Sequence, residues 1–256
     1  MSTQPEDLDL PEQIASAPES PAFVYGEKEL RRSASALRSI ADTADASLLY
    51  SIKSCELSGV LETLQPYVDG FGTSSLFESR LVRELLGNNG TVHLFTSAIS
   101  PGEIDELVAL SDYISLNSLG QLARWGPAIV GHAKCGLRVN PGRSFVADDR
   151  YDPCRRHSKL GVPLDQVSFA MGKENGVDGL HIHTNCDSTD LSEVLATVRH
   201  MVDQLGRVLE RIEWINLGGG YLFEDSVTLD PFYEAVGLLR SKYGLQVFME
   251  PGAAFV

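Results

Sequence analysis

Ser47-Leu-Leu-Tyr-Ser-Ile-Lys53-Ser-Cys55 decides how this chain is read. Ser47 to Ile52 is a short apolar run, read as a buried β-strand, with Lys53 at its C-terminal end. A cation there costs desolvation unless it is paired or its pKa falls. A lysine driven toward neutrality is a nucleophile suited to Schiff-base chemistry. The plain alternative is a lysine that snorkels to the surface at a strand end.

The same rhythm continues outward from this stretch. Further short apolar runs follow at Val68–Ser74, Thr91–Ser97, Tyr113–Ser118, Cys135–Pro141, Gly179–Thr184, Trp214–Gly220 and Gln246–Gly252. Helical stripes separate them, such as Leu57, Val60, Leu61 and Leu64, or Val194, Leu195, Val198, Met201, Val202 and Leu205. Ser100-Pro-Gly-Glu103 reads as a capping box, and Asp230-Pro231 as a helix start. Strand–helix alternation implies parallel pairing, because parallel neighbours need crossover connections. Eight repeats predict a (β/α)8 TIM barrel, an α/β fold, over residues 46–256. The alternative is a doubly wound open sheet, which usually carries a glycine-rich first turn where this chain has lysine. Residues 1–20, rich in Pro, Ser and acids, are expected to be poorly ordered. Residues 21–45 supply a strand at Pro21–Tyr25 and a helix (Leu30, Ala34, Leu37, Ile40) leading into the barrel. The longest irregular stretch is Gly142–Gly161, and loops of that length tend to be functional or disordered.

Composition narrows the partners. The chain has 256 residues, 43% of them hydrophobic and 22% charged, with a net charge of −14. That balance argues against nucleic acid and anionic membranes and is compatible with small cationic molecules. No apolar run approaches the ~18 residues of a membrane span, and the acidic N-terminus is unlike a secretory signal. Cys55, Cys135, Cys154 and Cys186 form no C-x-x-C pair, so free thiols and a reducing cytoplasm are expected.

In such a barrel the active site lies at the C-terminal ends of the strands. All eight ends carry polar groups: Lys53; Thr73 and Ser74; Thr96-Ser97; Asn117-Ser118; Arg138 and Asn140; His181 and His183; Gly218-Gly219-Gly220 after Asn216; and Glu250-Pro-Gly252. The triple glycine allows backbone N–H groups to approach an anion closely, or is simply a loose turn. Glu250 suits a pyridinium N–H, or else a salt bridge to Arg138 or Lys53. Of His181 and His183, only one is expected to face the barrel, where it would stack on a flat ring. Their His-x-His spacing also suggests a metal, but no third ligand of matching register is seen, and none is assigned. Lysine, glycine turn, carboxylate and stacking ring together describe a site for pyridoxal 5′-phosphate (PLP).

These residues resemble a known family, the fold-type III PLP-dependent decarboxylases of the alanine-racemase/ornithine-decarboxylase type. The carboxynorspermidine/carboxyspermidine decarboxylase branch is the most similar. The matching stretches are Tyr50-Ser-Ile-Lys53, Gly72-Thr-Ser-Ser-Leu-Phe-Glu78, Ile114-Ser-Leu-Asn-Ser-Leu119, Leu137-Arg-Val-Asn-Pro141, Tyr151-Asp-Pro-Cys154, Ser158-Lys-Leu-Gly161, Gly179-Leu-His-Ile-His183, Asn216-Leu-Gly-Gly-Gly220 and Glu250-Pro-Gly252. The resemblance implies Lys53 as the catalytic lysine forming the aldimine, His183 stacking on the cofactor, Gly218 to Gly220 holding its phosphate and Glu250 pairing with its ring nitrogen. It implies Glu78, Asn117 and Arg138 as substrate contacts, and decarboxylation of an amine-bearing α-amino acid in polyamine biosynthesis. Tyr221 stands where that branch commonly has histidine, and Thr184-Asn185 also departs from it. Family members continue past Glu-Pro-Gly into a β-domain, which is expected to be absent or truncated here. A homodimer or a complementing C-terminal β-domain is the implied partner. The competing reading is a non-catalytic PLP-binding or enzyme-regulating barrel.

Overall fold

A computed structural model describes residues 14, 15, 17, 19, 21–146, 148–170, 176–224 and 226–256. The strands are β1 Ser47–Ser51, β2 Gly70–Thr73, β3 Thr91–Phe95, β4 Tyr113–Leu116, β5 Lys134–Asn140, β6 Val162–Pro163, β7 Gly179–Ile182, β8 Trp214–Asn216 and β9 Gln246–Met249. The helices are α1 Glu27–Ala44, α2 Ser58–Leu64, α3 Leu76–Leu86, α4 Ile104–Leu110, α5 Leu119–Ile129, α6 Leu164–Ala170, α7 Ser192–Leu209 and α8 Asp230–Tyr243. Eight strands close a ring in the order β1-β2-β3-β4-β5-β7-β8-β9, and β9 pairs back onto β1. Every pairing is parallel. The expected (β/α)8 barrel is therefore the fold, with β6 added only against the end of β5.

Strand periodicity of two explains how one ring serves two cores. Leu48, Tyr50, Phe71, Leu94, Ile114, Leu137, Leu180 and Ile215 join the core under the helices. Leu49, Trp214 and Phe248, with Tyr113 against them, form a separate inner cluster. The Trp214 indole lies so close to β5 and β7 that a Cβ at Gly136 or Gly179 would collide with it. His93 stacks on Tyr113 at 4.1 Å and 6°, and meets Phe248 edge-on at 4.6 Å. This aromatic layer fills the N-terminal half of the barrel and leaves the opposite end for chemistry.

Carboxylates pin that N-terminal base. Asp69, Asp112 and Asp178 precede β2, β4 and β7, and each accepts a backbone N–H from the neighbouring strand. The donors are Leu48, Val92 and Cys135, at 2.7, 2.8 and 2.9 Å. Arg38 and Arg83 hold the first two aspartates from the helices.

Two local expectations are corrected, and a third needs an addition. Pro21–Tyr25 forms no strand: Phe23 is 95% exposed, and Tyr25 instead lays its phenol beside Gly59. The Ser100–Glu103 box forms only its Glu103 arm, reaching Ser100 N–H at 3.4 Å, and α4 starts later because residues 101–103 form a turn. Gly142–Gly161 is irregular where described, but β6 and α6 follow it before β7. The expectation of poor order for residues 1–20 falls almost wholly outside the described residues. All four cysteines are free.

Candidate active site

A cavity of about 330 Å³ opens at the C-terminal ends of the strands, lined by Lys53, His183, Asn185, Asp187, Gly220 and Glu250 among others. Its volume falls in the range of small-ligand sites. Larger clefts of about 580 and 570 Å³ lie toward the strand N-termini, around Arg83 and Asp105 and around Lys134 and Asp178. The second holds Lys134, His132, Asp112 and Asp178, but His132 is exposed, Lys134 is paired with Glu213 and both aspartates accept strand N–H groups. In the smaller cavity His183 and Glu250 are half-buried and face one another beside Lys53, so it is the chemical one.

Lys53 sits in the single helical turn Ile52–Ser54 that leaves β1. Ile52 is fully buried, whereas the Lys53 side chain is exposed. The turn lifts the lysine out of the barrel wall, so it stands at the mouth rather than within an apolar lining.

Glu250 follows β9 directly, with its side chain 13% exposed. His181 Nε2 lies 3.2 Å from Glu250 Oε1, but off the line of a hydrogen bond, and has no hydrogen-bond partner among the described residues. Asn216 Nδ2 donates to Oε2 at 3.4 Å. Gly72 leaves room for this carboxylate, since a Cβ there would come 3.0 Å from Oε2. Burial raises the Glu250 pKa, but His181, His183 and Lys53 outweigh it and hold the carboxyl down at about 2. Glu250 is therefore an anion. Among the described residues it makes no ion pair with Arg138 or Lys53, so the salt-bridge alternative does not form.

Behind it runs a buried column. His181, 2% exposed, meets Phe95 edge-on at 5.1 Å, and the Arg138 guanidinium lies 4.4 Å from the centre of the same Phe95 ring. Burial lowers the Arg138 pKa to about 10, which leaves it charged.

The expectation that only one of the two histidines reaches the barrel mouth is overturned. Residues i and i+2 of a strand share a face, and both His181 and His183 offer ligand atoms within 4.8 Å of each other and of Glu250. Glu250 is thus the third group that the His-x-His spacing lacked. His183 Nδ1 accepts the Gly219 N–H at 3.3 Å, which assigns its proton to Nε2. Burial, with Lys53 and Arg138 nearby, pushes the His183 pKa down to about 3, so the ring is neutral.

The glycine turn has a steric origin in this chain. A Cβ at Gly218, Gly219 or Gly220 would strike the carbonyl oxygen of Ile182, Glu250 or Asn185 respectively, and Gly218 and Gly220 have φ of +73° and +84°. Gly218 N–H donates to Asn216 Oδ1 at 2.7 Å and Gly219 N–H to His183. Gly220 N–H donates to no described residue and borders the cavity.

Two other sequence candidates serve neighbouring structure. Asn117 is buried, donates to Lys159 O and accepts Gly161 N–H, both at 2.8 Å, which ties the long loop to β4. Glu78 accepts Ser74 N–H at 2.6 Å and the Ser74 hydroxyl at 2.9 Å at the start of α3. The strand-end reading named His181 and Asn216 without giving either a role in the site, and it did not name Phe95.

The donor set fits PLP. An ionised, mostly buried carboxylate, a neutral imidazole beside it, a lysine at the mouth and a glycine turn with a free N–H border one cavity. Comparison with known proteins agrees. The family described as "Pyridoxal-dependent decarboxylase, pyridoxal binding domain" matches residues 27–256. The carboxynorspermidine/carboxyspermidine decarboxylase of Herminiimonas arsenicoxydans is 32% identical over 240 residues, covering 93% of this chain and 64% of that protein. The carboxyaminopropylagmatine decarboxylase of Synechocystis is 31% identical, covering 94% of this chain and 62% of its own length. Carboxynorspermidine decarboxylase from Campylobacter jejuni, solved with norspermidine, superposes with a TM-score of 0.80 at 26% identity, over 93% of this chain and 60% of that one. Helicobacter pylori diaminopimelate decarboxylase, at 16% identity and a TM-score of 0.80, shares the fold. The chain spans less than two thirds of the length of these relatives, and it belongs to the family of pyridoxal-binding domains of pyridoxal-dependent decarboxylases.

Proposed function

We propose that this chain is the cofactor-binding barrel of a PLP-dependent decarboxylase. Its substrate is a carboxynorspermidine- or carboxyspermidine-like amino acid in polyamine biosynthesis. The observation that carries the reading is the meeting of Lys53, His183 and ionised Glu250 around one cavity beside the glycine turn. PLP, when bound, supplies an electron-withdrawing ring that accepts the electron pair left as CO₂ departs. The chain's own part is binding and electrostatics. Glu250 would hold a proton on the ring nitrogen, the neutral His183 imidazole would offer a flat face, and Lys53 would provide the amine that attaches the cofactor. The turn Gly218–Gly220 would hold the phosphate, with Gly220 N–H as its uncommitted donor among the described residues. Arg138 would add its positive charge from the buried column behind Glu250, and Glu78 and Asn117 would act on the substrate side through the loops they hold. The net charge of −14 suits a cationic substrate.

An absorption titration of the purified chain with PLP tests this, in parallel with Lys53→Ala. A visible band present in the wild type and lost in the variant supports the assignment. A folded wild-type chain that gives no band would overturn it. Release of CO₂ from carboxynorspermidine tests the activity itself.

A further inference from the structure

The cavity wall formed by residues 183–188 is not held by the barrel alone. Ser188 N–H donates to Gly220 O at 2.9 Å and Leu222 N–H to Ser188 O at 2.7 Å, a one-residue parallel bridge between the loop after β7 and the loop after β8. The Asn185 carbonyl oxygen packs directly on the Cα of Gly220. Gly220 therefore owes its position to residues 185 and 188. Both are gripped by one atom on the first turn of α7: Glu193 Oε2 accepts the Asn185 Nδ2 and, at 2.6 Å, the Ser188 hydroxyl. A carboxylate only accepts, so this contact also fixes which end of the Asn185 amide faces the helix.

We propose that Glu193 is a positioning residue for the phosphate-binding wall, acting through Asn185 and Ser188 on Gly220. This rests on reading the cavity as a PLP site. Glu193 does not line the cavity, and its charge has no use there, since an anion disfavours phosphate. What the wall needs from it is an acceptor oxygen at one place. Two hydrogen bonds to a charged acceptor are large relative to the tenfold-per-1.4 kcal/mol scale of binding. Their loss would let the loop drift from Gly220 and leave the rest of the barrel intact.

The test compares PLP with pyridoxal, which lacks the phosphate, by absorption titration of the full chain. Glu193→Ala should weaken PLP about tenfold or more and leave pyridoxal within about twofold. Glu193→Gln keeps an acceptor oxygen and should bind PLP like the wild type. Ser188→Ala, which removes one of the two bonds, should shift PLP in the same direction by less, and it carries the test if Glu193→Ala folds poorly. Equal weakening of PLP and pyridoxal, or a Glu193→Gln variant as defective as Glu193→Ala, would overturn the proposal. A wild-type chain that takes up neither compound would instead overturn the reading of the site, and the proposal with it.

Discussion

His181 Nε2 stands 3.2 Å from Glu250 Oε1 without the alignment of a hydrogen bond, the first side chain 3% and the second 13% exposed. The carboxylate is charged and incompletely satisfied, which is the state in which it can take a donor from a ligand. Glu250→Gln removes the charge and keeps the shape. The affinity for PLP should fall about tenfold, the scale of one charge-assisted hydrogen bond, as read by absorption titration. Undiminished affinity would mean that the ring nitrogen is held elsewhere.

The barrel should lose stability on acidification. Burial pushes the His93 pKa down to about 3, whereas an unfolded histidine takes its proton near 6.5. Between those values the unfolded chain binds more protons, so stability present at neutral pH is lost as pH falls through that window. The slope is about 1.4 kcal/mol per pH unit for one fully buried histidine. Glu250, also lowered, adds a loss of the same sign below about 4.5, its ordinary value. Melting curves from pH 7.5 to 4 should show the decline, and His93→Asn should flatten its upper part. The groups around His93 are Thr91, Tyr113, Phe248, Asp112, His181 and Glu250, and the two carboxylates oppose the shift without reversing it.

Gly179→Ala should destabilise the barrel by about 1–3 kcal/mol, the usual penalty for overpacking. The added methyl meets the Trp214 indole, which a packed interior cannot move. Trp214→Phe combined with Gly179→Ala should recover part of the loss in chemical denaturation. Strict additivity of the two variants would mean that the indole is not the obstacle.

Asn117→Ala leaves the Gly161 N–H and the Lys159 carbonyl without their side-chain partner. The expected cost is about 1–3 kcal/mol, with faster proteolytic cleavage within Gly142–Gly161. Unchanged cleavage together with a raised KM would favour a direct substrate contact over the role in holding the loop.

The barrel was legible because its signals are local. Leu48 and Tyr50 go under the helices while Leu49 goes inside, and that alternation repeats at every strand. Lys53, His183, Gly220 and Glu250 were legible because strand ends converge whatever the loops do. The misses have physical causes. Among its described side chains α6 buries only Val167, too little to draw a stripe, and β6 is two residues. Pro21–Tyr25 has the composition of a strand but no neighbour to pair with among the described residues. The two histidines were misplaced by counting their register as one residue instead of two. Glu193 has no signature at all, since it acts from the side of a helix on residues five and eight positions earlier.

The layer of Trp214, Tyr113, Phe248 and His93 gives the barrel a floor. A chamber with a floor has a single doorway, so whatever enters past Lys53 must leave by the same route. On the proposed function, substrate, amine product and CO₂ would then share one passage, and a lingering product would bar the next arrival. Traffic through the doorway, more than chemistry behind it, would set the pace wherever the product binds well.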